Sequence, residues 1–191
     1  MKQLIQDIFE ESIRVKRAAL EKNSLLICLA AEAIIDCLGR GNKVLFFGNG
    51  GSAADSQHIA AEFIGRFQKE RRALPAIALT TDTSIITAIS NDYSFDVIFA
   101  RQVEGLGREG DIAFGISTSG NSRNVILAVE AAKGKGMTTI SLTGKDGGKL
   151  AALTDISIIV PSESTARVQE SHICIAHSIC DAVERHIDNG H

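Results

Sequence analysis

Five uninterrupted apolar runs mark out the chain: Val44–Gly48 (VLFFG), Pro75–Thr80, Asp111–Ser117, Thr138–Thr143 and Ile156–Val160. Short runs without polar alternation suit strands covered on both faces, as in a parallel sheet. Between and after them, apolar residues recur at three- and four-residue steps over Ala53–Phe67, Thr83–Ser90, Phe95–Leu106, Asn121–Lys135 and Ala166–Ile187, which is the helix period. Strands alternating with helices predict an α/β fold with a doubly wound, five-stranded parallel sheet. Ahead of the first strand, Lys2–Cys37 carries the helix period (Leu4, Ile5, Ile8, then Leu25, Leu26, Leu29, Ala33) with an interruption near Lys22–Ser24. This predicts two helices, the second capped by Ser24 and ended by Gly39 and Gly41. The expected organisation is one domain over 1–191, with an N-terminal helical segment of about 2–38 and an α/β core of about 42–188.

Composition narrows the class. At 191 residues, 45% hydrophobic and 23% charged, the chain suits a single globular domain and excludes a disordered or fibrous one. A net charge of -3 gives no general reason to expect nucleic acid or an anionic membrane as partner. The opening segment MKQLIQDIFEESIRVKRAALEKN is acidic early and lacks an apolar core, so it reads as neither secretory signal nor membrane span, and the expected address is the cytoplasm. Cys28, Cys37, Cys174 and Cys180 lie in apolar periodic segments with no CxxC spacing; they read as buried thiols.

In doubly wound sheets, ligands bind beyond the carboxyl ends of the strands. Gly48-Asn49-Gly50-Gly51-Ser52 follows the first run and opens a helix. Glycines there let backbone approach a ligand, and helix N–H groups attract anions. The string also satisfies a relaxed dinucleotide fingerprint, but Asp82 lies well beyond the roughly 20-residue spacing that ribose recognition needs. The third run is followed by Ser117-Thr118-Ser119-Gly120-Asn121-Ser122, four hydroxyls around one glycine at the mouth of a helix. Hydroxyls and helix amides together can envelop a phosphate without lysine; the plainer reading is a polar turn capped by Asn121 or Ser122. Thr143-Gly144-Lys145-Asp146-Gly147-Gly148 lacks Walker spacing and reads as a tight turn.

His58 and Glu62, four apart on the helix that starts at the glycine loop, share one face and can reach a common proton or metal ion, although such pairs are common on surfaces. The last helix sets Gln169, Glu170, His172 and His177 among apolar residues. Gln169 and His177 stand about 12 Å apart along a helix, so a site using both is expected to draw on neighbouring subunits. The basic stretch Arg66, Lys69, Arg71 and Arg72 reads as a solvated helix end.

Taken together, FGNGGSAADSQHIAAEF, GISTSGNSRN, TGKDGG and TARVQESHICIAH resemble the sedoheptulose 7-phosphate isomerases (phosphoheptose isomerases) of the SIS-domain superfamily, over nearly the whole chain. The resemblance implies a flavodoxin-like SIS sheet and a homotetramer with sites at subunit interfaces. The activity implied is conversion of a phosphorylated seven-carbon sugar, sedoheptulose 7-phosphate, to D-glycero-D-manno-heptose 7-phosphate, an early step towards heptose-containing bacterial surface polysaccharides. Motif by motif, it places the catalytic glutamate at Glu62 and the catalytic histidine at His177. It places one zinc per subunit on His58, Glu62, Gln169 and His177, and phosphate contacts at Ser117, Thr118, Ser119 and Ser122. Further substrate contacts fall at Asn49, Gly50, Gly51, Ser52, Asp92 and Gln169. Ala166 stands where some members carry an aspartate, so the resemblance does not carry over one sugar hydroxyl contact. The related non-catalytic scaffold that binds the bacterial replication initiator is the alternative; it lacks acid and base at the two catalytic positions, whereas Glu62 and His177 are present here. Carboxylate and imidazole suit aldose–ketose interconversion, which moves a proton between two carbons through an enediolate.

Overall fold

The computed structural model describes residues 1–187, so the end of the expected core at Asp188 lies outside the described residues. Five strands, β1 (Val44–Gly48), β2 (Ala76–Ala78), β3 (Ile112–Ser117), β4 (Thr138–Gly144) and β5 (Ile156–Val160), form one sheet. All its pairings are parallel, and the order is β2-β1-β3-β4-β5. The order reverses between β1 and β3, the place where such sheets open a crevice for a ligand.

The apolar runs are continuous because alternate residues feed two cores. Val44 and Phe46 of β1 pack with Phe114, Ile140 and Ile158 on one face; Leu45 and Phe47 pack with Ala113 and Phe99 on the other. The first face is covered by α1 (Lys2–Gly39), α2 (Gly51–Ile64) and α7 (Thr165–Ile187), the second by α4 (Ile98–Leu106), α5 (Arg123–Gly134) and α6 (Gly148–Leu153). Between β2 and α4 the chain adds α3 (Thr83–Asp92) and a 3-10 turn at Phe95–Val97.

Four expectations need correction. The N-terminal segment is one 38-residue helix, not two. Its polar interruption is a docking point: Asn23 is buried, donates from Nδ2 to the carbonyls of Ala19 (2.8 Å) and Ile159 (3.0 Å), and accepts the Ile159 amide at 3.0 Å. It thereby pairs backbone groups on the outer edge of β5 that β4 cannot reach. The helix expected to run to Phe67 stops at Ile64 with Gly65 as its cap. The turn after β4 leads into the short helix α6, which was not foreseen. Of the cysteines, Cys37 and Cys180 are buried, while Cys28 and Cys174 are exposed; apolar spacing along α1 and α7 marks outward faces as well as the core.

Candidate active site

The glycine and serine loops leave β1 and β3 side by side, with Gly48 in register with Ile116, one residue before Ser117. Each leads into a helix whose first amides no side chain caps. Ser122 occupies the cap position of α5, yet its hydroxyl meets Ser117 Oγ at 3.0 Å instead of a helix amide. That leaves the helix N-terminus and the neighbouring hydroxyls to receive an anion. Ser119 Oγ accepts the Asn121 amide at 3.2 Å, and Thr118 and Ser119 are only half-buried.

The serine loop rests on the β4–α6 turn. Gly144 N–H donates to the Thr118 carbonyl (3.2 Å), Leu150 N–H to Gly120 (2.9 Å) and Lys149 N–H to Asn121 Oδ1 (3.2 Å). Gly120 has a φ of +64° and lies so close to the Gly147 carbonyl that a Cβ would collide with it, so the loop admits only glycine there. Asn49 and Asn124 exchange two amide hydrogen bonds at 2.8 and 2.9 Å. The Asn49 side chain therefore ties the glycine loop to α5. Ser52 is buried on the first turn of α2, and Gly50 has a φ of +56°.

α2 and α7 run alongside each other from this mouth, and their facing side chains make the titratable cluster. Gly51 lies against Gln169, with no room for a Cβ between them. Two turns further on, His58 Nε2 stands 2.9 Å from His177 Nε2 and 3.3 Å from Glu62 Oε1. Of two imidazole nitrogens this close, one carries the proton and the other accepts it. His58, Glu62 and His177 each offer a ligand atom, all within 4.8 Å of one another, and two nitrogens with one carboxylate oxygen are donors of the kind zinc takes. These residues fit a metal ion. Gln169 stays at the Gly51 end, about 12 Å from His177 along α7, and the structure does not bring it to the three within one chain. Asp92 is exposed at the end of α3, where it accepts a bond from Asn91 (2.8 Å).

The resemblance implies a site at a subunit interface; one chain by itself brings Glu62 and His177 together. Sequence reasoning missed their neighbours. Asp55, one turn before His58, has a buried Oδ2 with no hydrogen-bond partner. Burial raises its carboxyl above the ordinary range against the opposing pull of His58 and His177. The i, i+3 spacing of Asp55 and His58 was the available signal. Arg71 is no solvated helix end: its side chain is 3% exposed and pairs with buried Glu184 at 3.1 Å. Phe67 packs its ring on His177, with centroids 5.4 Å apart.

The SIS-domain family model matches residues 8–144. A phosphoheptose isomerase of Roseiflexus sp. is 56% identical over 94% of this chain and 91% of its own length. Among solved structures, the phosphoheptose isomerase of Neisseria gonorrhoeae is 49% identical, covers 96% of this chain and 98% of its own, and has a TM-score of 0.91. That of Francisella tularensis is 43% identical, covers 96% and 97%, and has a TM-score of 0.92. With its fold and nearly all of its length shared in this way, the chain belongs to the phosphoheptose isomerases of the SIS-domain family.

Proposed function

We propose that the chain interconverts D-sedoheptulose 7-phosphate and D-glycero-D-manno-heptose 7-phosphate through an enediolate, with Glu62 as base and His177 as acid and base. The observation that carries this reading is the convergence of Glu62 and His58, on the helix that starts at the glycine loop, with His177 of α7. A carboxylate removes the C1 proton and returns it to C2, while an imidazole passes protons between the two oxygens. The phosphate, seated on Ser117, Thr118, Ser119, Ser122 and the start of α5, holds the reacting end in place. Good alignment of this kind lowers barriers by up to about 7 to 11 kcal/mol. Asn49, Gly50, Gly51, Ser52, Gln169 and Asp92 are assigned to the sugar.

His58, Glu62 and His177 would hold the zinc ion, with Gln169 of a second copy as the remaining protein ligand. When bound, zinc polarises the sugar carbonyl and offsets charge on the enediolate oxygens. Assembly as a homotetramer is supported by the apolar residues that α1 leaves exposed, Leu4, Ile5, Phe9, Ile13 and Leu20 among them. A cytoplasmic address suits a phosphorylated sugar substrate, and no helix among the described residues is long and apolar enough to cross a membrane. The replication-initiator scaffold is not favoured, because Glu62 and His177, the residues read as base and acid, are both present and lie beside each other.

The test is turnover in heavy water. Incubation of the purified chain with sedoheptulose 7-phosphate is expected to give the aldose with deuterium at C2. Absence of conversion would remove the activity, and conversion without deuterium would remove an exchanging base such as Glu62.

A further inference from the structure

The segment that follows α2 has no regular secondary structure between Gly65 and Pro75, yet one carboxylate organises it. Glu184 of α7, 1% exposed, accepts three successive amides, from Phe67 (2.9 Å), Gln68 (2.8 Å) and Lys69 (2.9 Å). Arg71 Nε donates to the same carboxylate at 3.1 Å. The rest of its guanidinium reaches back to the end of α2, donating to the carbonyls of Glu62 (2.7 Å) and Phe63 (2.9 Å), oxygens that a helix terminus leaves without partners. Burial alone would raise the Glu184 carboxyl; the amides of Gln68, Lys69 and Phe67, together with Arg71, overcome this and hold it below its ordinary range.

This arrangement ends on the chemistry at two points. Arg71 grips the backbone of Glu62. The folded segment lays the Phe67 ring on His177, inclined at 41°, while His58 packs on His177 with centroids 5.1 Å apart. The imidazole is thus in contact with two rings, and both Phe67 and His177 line an open cleft of about 460 Å³.

We propose that Phe67 is a positioning residue for His177, and that the buried Arg71–Glu184 pair is the clamp that seats it. The proposal rests on the reading of His177 as the acid and base. Proton transfer needs the imidazole nitrogen within hydrogen-bond reach of the sugar oxygens, and small displacements of such groups are costly in rate even when substrate still binds. Phe67 has no polar side-chain atom to offer the sugar, so its loss should appear in kcat and leave KM nearly alone.

The experiment compares steady-state turnover of the parent, Phe67→Leu, Phe67→Tyr, Glu184→Gln and the Phe67→Leu/Glu184→Gln double variant, with folded fraction followed by circular dichroism. Phe67→Leu is expected to lower kcat on the order of tenfold with KM within about twofold. Phe67→Tyr, which keeps a ring in place, should restore most of it. Glu184→Gln should lower kcat similarly, and the double variant should lose little more than either single change, since both act through one contact. An unchanged kcat in Phe67→Leu, a change confined to KM, a loss that only follows folded fraction, or no recovery with Phe67→Tyr would each overturn the proposal. Should Glu184→Gln fail to fold, the Phe67 pair decides alone. A His177→Gln control separates the two readings: if it turns over at the parental rate, the assignment of His177 fails; if it is inactive while Phe67→Leu is unaffected, only the positioning role fails.

Discussion

Glu62 sits near the end of α2 with its side chain 23% exposed, so its chemistry can be removed with little harm to the core. Glu62→Gln is expected to cut kcat by roughly 10²- to 10⁴-fold, the usual share of a general base, with an unchanged melting temperature; calorimetry and turnover together check both halves. Ser119→Ala should act differently. Losing one hydrogen bond to a charged group costs about 1.5 to 3 kcal/mol, so kcat/KM for the phosphosugar should fall roughly 10- to 100-fold, and a sugar without phosphate should not discriminate between the two proteins. His172 gives a pH prediction. It is fully buried, and Nε2 meets the Thr143 carbonyl at 3.0 Å. Burial, partly offset by that bond, pushes it down from 6.5 to about 4. The folded state therefore binds fewer protons than the unfolded one between these values, and stability is lost as pH falls through that window. The contribution is on the order of 3 kcal/mol. In urea titrations at pH 7 and pH 4.5, His172→Gln should lose less stability on acidification than the parent; equal losses would contradict it.

Elements show where sequence reading succeeds and where it stops. The sheet was legible because a strand covered on both faces needs an unbroken apolar run, and each of the five runs became one strand. That the two loops after β1 and β3 lie side by side at helix starts was legible because glycines and hydroxyls concentrate within a few residues after each run. What failed was non-local. The polar interruption at Asn23 looked like a break because its partner, Ile159, lies 136 positions away. Arg71 looked solvated because Glu184 is 113 positions away, and nothing near Phe67 announces His177. The same reasoning gives a test at this scale. Asn23→Leu would leave the Ile159 amide and carbonyl beneath α1 without partners, at a cost of about 1 to 3 kcal/mol for each group left unpaired. The midpoint of urea unfolding should fall accordingly, and an unshifted midpoint would show that Asn23 does not dock the helix.

At the scale of the whole molecule, the long helix α1 is the element that a single chain does not satisfy. Its second half is anchored by Ala30, Ile34 and Leu38 in the core, while Ile5, Phe9 and Ile13 form an i, i+4 stripe that is about half exposed or more. Arg167 holds this first half to α7 by donating to the Ile8 carbonyl at 2.9 Å, so the stripe is fixed in position and ready to meet another surface. A fixed apolar stripe of this kind is characteristic of association, and α7, the helix it lies along, carries Gln169 and His177. Association along α1 would therefore bring a second α7 close to the first, and on the proposed reading a second copy would be the route by which Gln169 reaches a cluster that lies about 12 Å from it in its own chain. Placing charge on the stripe, as in a Phe9→Glu/Ile13→Glu double variant, should break the proposed homotetramer without disturbing the sheet. Light scattering should move from about 80 kDa, four copies of the 20.4 kDa chain, to smaller species with unchanged circular dichroism, and turnover should fall with the mass. If the parent is already a monomer in solution, or the variant stays active as one, then the site is complete within a single chain and Gln169 serves the sugar alone.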